Sequence, residues 1–226
     1  MARPSVPDWI RKYVPPQGWT NVFTLVPANE HLFGTETLLG DWDGRTLLLA
    51  KDGAPTGVIR ALRDKGEPRP WRHAQRELGD VGGYKTNEYI AAAAIRLRGG
   101  VLYGSATANL LFDDPRWSRS LPGFYTGPLH EYLKRVLAWV IASMANLERI
   151  ACLGQEAWHL TATVLGQHDA ARQFARFRDG GEPLFSEASG KRLRAFALYH
   201  PAARVSSDAK SAGWRALAGE RGQPGH

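Results

Sequence analysis

Arg45-Thr46-Leu47-Leu48-Leu49-Ala50-Lys51-Asp52-Gly53-Ala54-Pro55 decides how the chain is read. An apolar and β-branched run of strand length comes first, with no polar alternation. That is the pattern of a strand buried on both faces. A small, turn-prone loop follows, carrying one carboxylate, Asp52. Open α/β sheets hold their ligands in the crevice past the carboxyl ends of the strands. Asp52 is therefore either a catalytic group or the N-cap of the next helix.

Working outward, the same alternation recurs. Thr86-Asn87-Glu88 opens a helix over 86–98 with the apolar stripe Tyr89, Ile90, Ala93, Ala94 and Leu97. Gly99-Gly100 ends it, and 101–106 reads as the second strand. Helix 129–145 precedes a third strand at 149–154, and helix 155–165 follows. The fourth strand spans 194–199, ending at His200-Pro201, and a last helix covers 207–217. Stretches 66–83 and 113–128 read as loops, and 169–190 as polar and partly helical. Strand alternating with helix four times predicts a three-layer α/β/α fold with a central, mainly parallel four-stranded sheet. Residues 1–226 read as a single domain, with 1–40 an N-terminal arm packed on it and 219–226 a loose tail.

Composition narrows the function classes. With 43% hydrophobic and 23% charged residues in 226, the chain is globular in character rather than disordered. The apolar runs 90–95 and 136–145 are too short or interrupted to span a bilayer, and no secretory signal is visible. The single cysteine, Cys152, excludes an internal disulfide framework and a cysteine-ligated iron–sulfur cluster; it reads as core filler in a cytoplasmic protein. Lys plus Arg is 29 against 22 acidic residues, a net +7, which attracts polyanions, nucleic acid first.

Three polar residues fall just past strand ends: Asp52 after the first, Asn109 after the second and His200 after the fourth. In a parallel sheet these ends share one edge. An amide carries a donor and an acceptor and can pair with the edge of a nucleobase. An imidazole can donate to an oxygen that gains charge as a base departs. A carboxylate can orient water and stabilise the cationic sugar left behind. Both act on charge that develops in the transition state, where preorganised dipoles count most.

These residues carry a resemblance. Leu49-Ala50-Lys51-Asp52-Gly53-Ala54-Pro55 resembles the first motif of the uracil-DNA glycosylase superfamily, a strand ending in a loop with a water-directing acid. His200-Pro201-Ala202-Ala203-Arg204 resembles its second motif. Asn109-Leu110-Leu111, with Asp113-Asp114-Pro115 after it, is similar to the base-reading asparagine segment, and Ile150-Ala151-Cys152-Leu153-Gly154 to the strand between. The likeness runs in order from about residue 45 to 217.

The resemblance implies a monofunctional glycosylase, without metal or cofactor, that flips uracil out of DNA, hydrolyses its N-glycosidic bond and leaves an abasic site. Asp52 and His200 would be catalytic. Asn109 would read the base, in a pocket shared with Lys51, Gly53 and Ala54. Trp71, with Tyr84 in reserve, would stack on it. Arg204 would fill the gap left by the flipped nucleotide, which offsets part of the cost of flipping, with Lys51 and Ser206 as further DNA contacts. The implied partner is DNA, single- or double-stranded, bound by a monomer.

The departures from the best-known branch are informative. Ala50 and Lys51 replace a glycine and a glutamine before the acid, and Ala54 stands where a tyrosine screens out a 5-methyl group. The expectation is a looser pocket open to other deaminated or modified bases. Lys51 itself reads either as a Schiff-base amine or as a phosphate contact or outward side chain. The rival of another class is a non-catalytic damaged-DNA-binding protein that flips and holds the lesion; a third reading is a nucleotide-processing enzyme. His130-Glu131 lacks the second histidine of a zincin motif, since Lys134 stands there. His31, His73, His159 and His168 have no ligand-like spacing. Arg172, Arg176 and Arg178 read as phosphate contacts or as a solvated face.

Overall fold

The computed structural model describes residues 3–37, 39–51, 56–64, 66, 89–90, 92–113, 121–201 and 203–219. Chain order is α1 (Asp8–Arg11), β1 (Trp19–Asn21), α2 (Val22–Leu25), a 3-10 turn (Gly34–Thr37), β2 (Thr46–Ala50), α3 (Thr56–Asp64), β3 (Val101–Ser105), β4 (Leu110–Phe112), α4 (Gly127–Ser143), β5 (Arg149–Leu153), α5 (Gln155–Val164), α6 (His168–Ala171), α7 (Phe174–Gly180), β6 (Leu184–Ala188), β7 (Lys191–Leu198) and α8 (Ser207–Ala218). Helical residues 89–90 and 92–94 precede β3.

The main sheet has the order β3-β2-β5-β7-β6, with β3, β2, β5 and β7 parallel and β6 antiparallel to β7. It has five strands where the sequence predicts four. The extra one, β6, was read as part of a polar stretch because it alternates: Leu184 is buried while Phe185 and Glu187 face outward. Its hairpin turns at Ser189-Gly190, both at positive φ (52° and 71°), as a tight hairpin matched to strand twist requires. A three-residue strand pair, β1 with β4, forms a second small sheet.

Every residue of β2, β3 and β5 is buried, because helices cover both faces of the sheet. Leu47, Leu49, Ile150, Cys152 and Ala195 pack with α4, α5 and the N-terminal segment. Leu48, Ala50, Ala151, Leu153 and Phe196 pack with Ile90, Ala94, Leu97, Trp214 and Leu217 on the other side. Cys152 is buried core, and burial pushes its thiol up to about 12. No helix among the described residues is long and apolar enough to cross a membrane.

The described part of the N-terminal segment is tied to the rest of the domain. Trp19 Nε1 donates to the Pro122 carbonyl at 3.2 Å, and the Tyr13 ring stacks on Tyr132 with centroids 3.5 Å apart. At the other end, Arg149 reaches from the start of β5 to two carbonyls, Leu217 at the end of α8 and Arg98 before β3. That one side chain ties the last turns of both segments to the amino edge of the sheet.

Candidate functional site

The register fixes the open edge. Leu49 pairs with Cys152, and Cys152 with Ala197. Lys51, one residue past β2, is therefore level with Gly154 past β5 and Tyr199 past β7. Two strand spacings separate the ends of β2 and β7, about 10 Å. Lys51 and His200 flank the carboxyl end of β5 on this edge. Asp52, Gly53, Ala54, Trp71 and Tyr84 lie outside the described residues.

Between them stands the turn into α5. Gly154 has φ +115°, a conformation that L side chains rarely adopt, and the helix begins at the next residue. Glu156 lies in its first turn, where the helix dipole favours a carboxylate. Its Oε1 is 3.3 Å from Lys51 Nζ, with the two side chains only 17% and 21% exposed. Lys51 is thus held across the edge toward α5.

Tyr125, just before α4, extends this cluster. Burial, reinforced by the charge on Glu156, pushes its hydroxyl up to about 12. Its ring meets His159 edge-on at 4.8 Å, and His159 lies 5.5 Å from the ring of His130. His130 Nδ1 donates to the Phe124 carbonyl at 2.7 Å. Burial lowers the pKa of His159, with His130 adding to the effect. The sequence reading missed Glu156, Tyr125 and this pairing of histidines. A first-turn glutamate looks like ordinary helix chemistry, and Tyr125 stands in a loop thirty-one positions earlier. Among the described residues no three His, Cys, Asp or Glu side chains gather as a metal would need.

His200 is half-buried, and burial lowers its pKa, helped by the nearby charge of Lys210. Lys210 Nζ donates to the Pro201 carbonyl at 2.7 Å, which ties the His-Pro turn to α8. Arg204 is exposed past that turn. Ser206 is the N-cap of α8, its Oγ accepting from Ala209 N at 3.2 Å. That hydroxyl closes the helix end.

Asn109 lies elsewhere. After β3 the chain makes a tight turn, with Ala108 at φ +53°, and β4 turns back toward β1. Asn109 is 0% exposed. Its Nδ2 donates to Asn21 Oδ1 at 2.9 Å, and its Oδ1 accepts from the Tyr132 hydroxyl at 2.7 Å. Asn21 in turn donates to the carbonyls of Ile10, Arg11 and Tyr13. A base-reading amide has to present its edge to a hollow; this one presents it to the interior. Only its second N–H and second lone pair have no hydrogen bond among these.

Comparison of the chain with models of known protein families, with curated proteins and with solved structures gives no match. The resemblance noted in the sequence rests on its motifs alone.

Proposed function

We propose that this chain is a monofunctional DNA glycosylase that hydrolyses the N-glycosidic bond of uracil, and of other deaminated or modified bases, and leaves an abasic site. One observation carries the reading. The segments beginning at Lys51 and His200 leave two parallel strands at the same sheet edge, about 10 Å apart on either side of β5. A single flipped base spans such a gap. The net charge of +7 suits a phosphate backbone.

In this scheme Asp52 orients the attacking water and stabilises the sugar cation. His200 donates a hydrogen bond to the oxygen of the departing base. Its lowered pKa suits that task, since a neutral imidazole donates without surrendering a proton. Asn109 has a positioning part. It holds the turn after β3 from inside, and reading a base edge would require that turn to open. Arg204 is the exposed side chain that fills the duplex after flipping. Lys51, drawn to Glu156, neutralises rather than attacks.

Duplex and single-stranded oligonucleotides, each with one uracil, xanthine or mispaired thymine, test the reading by alkali cleavage at the modified position. Alkali-labile breaks at uracil, with no borohydride-trapped adduct, are the expected outcome. Tight binding without breaks would favour the lesion-holding alternative, and turnover of free dUTP a nucleotide enzyme. A trapped adduct would return Lys51 to the Schiff-base role.

A further inference from the structure

On the face of the sheet covered by α8 and the helical segment before β3, these two elements do not close against each other. Tyr89, Ala93 and Arg96 from one, and Ser211, Trp214 and Arg215 from the other, line a groove. The positions recur at helical spacing, so each element turns one face to it.

The chemistry of the groove is one-sided. Arg96 and Arg215 are exposed, and among the described residues neither guanidinium has a hydrogen bond or ion pair. Among the described residues, no carboxylate lines the groove. Trp214 is 8% exposed, yet its Nε1 is buried with no acceptor. Its ring meets that of Tyr89 edge-on at 6.1 Å. Two guanidinium forks and the Ser211 hydroxyl are the donors that line the groove, beside two aromatic rings.

We propose that this groove binds a small phosphate monoester carrying one flat ring. A phosphate matches the two guanidinium forks in charge and supplies an acceptor oxygen for the Ser211 hydroxyl. The ring would lie against Tyr89 and Trp214. The volume, about 190 Å³, admits a ligand of that size and falls short of a drug-sized pocket. The place argues for a separate site. Arg149 pins the ends of both elements to the amino edge of the sheet, opposite the edge that holds Lys51 and His200. This inference does not rest on the glycosylase reading.

Calorimetric titration of the full chain with phenyl phosphate, inorganic phosphate and phenol tests it. Phenyl phosphate should bind at least about tenfold more tightly than either fragment, since each fragment meets half of the groove. The Arg96→Gln/Arg215→Gln double variant should keep its melting temperature and lose at least about tenfold in phenyl phosphate affinity. Absence of phenyl phosphate binding to the folded parent, or equal binding by the double variant, would overturn the proposal. So would a double variant that loses affinity for duplex DNA while the parent ignores phenyl phosphate, because the arginines would then belong to a DNA surface.

Discussion

The chain leaves β3 and β2 at the same edge of one sheet, and the two exits end in opposite conditions. Past β3, the amide of Asn109 is drawn inward and bonded to Asn21 and Tyr132. Past β2, Lys51 stays at the rim and meets Glu156 across the start of α5. A polar residue at a strand end is therefore not a functional group by position alone. What decides is where its hydrogen bonds go. The closed exit holds the N-terminal segment to the core. The open exit, with Gly154, Glu156 and His200, keeps titratable groups at a mouth.

The sharpest break of this contrast is Asp52→Asn. Single-turnover cleavage should slow by about 10³-fold with oligonucleotide affinity almost unchanged. A near-parental rate would remove the open exit from the chemistry. Next comes Asn109→Ala, which strands the Tyr132 hydroxyl and deprives Asn21 of a donor. It should cost about 3 kcal/mol and lower the melting temperature by about 6–12 °C, with base preference intact. An unshifted melting temperature together with relaxed base preference would reverse the comparison and restore Asn109 as the reader.

His200→Ala should cost about 10²-fold in turnover with little change in stability, the usual price of one transition-state donor. The pH dependence follows from the same residue and from His159. Burial lowers both values in the folded chain, so their neutral forms are favoured there. Their contribution to stability is present above the ordinary imidazole value near 6.5 and is lost as pH falls through the lower folded values. Melting temperature and turnover should both decline from about pH 6 downward; a protein more stable in acid would contradict the sign. The smallest effect is expected of Glu156→Gln. It removes one of the contacts that hold Lys51 back from phosphate, so the log–log salt slope of DNA binding should steepen by up to about one unit. An unchanged slope would show that Lys51 does not reach the backbone.

The parallel strands were legible because each is buried on both faces and therefore written as an unbroken apolar run, Leu47-Leu48-Leu49 or Ile150-Ala151-Cys152-Leu153. β6 escaped because it is an edge strand whose outward residues, Phe185 and Glu187, interrupt any such run. β1 and β4 escaped because three residues carry no period and their partners are distant in sequence. In the site, strand ends could be read, but the direction in which a side chain leaves a turn could not. Asn109 turns inward because Asn21 and Tyr132, 88 and 23 positions away, accept and donate to it. Glu156 became visible only once β2 and β5 were placed side by side.

The anchoring of the first thirty residues has a consequence for biosynthesis. Trp19 waits for Pro122, 103 positions later, and Tyr13 for Tyr132. On a ribosome adding about 5–20 residues per second, the amino terminus would emerge roughly 5–20 s before its partners. During that interval Trp9, Tyr13 and Trp19 have no surface to cover them, and the nascent chain is at its stickiest. Refolding from denaturant meets the same obstacle as a long loop to close, so docking of this segment should be among the late events and should lag behind formation of the central strands.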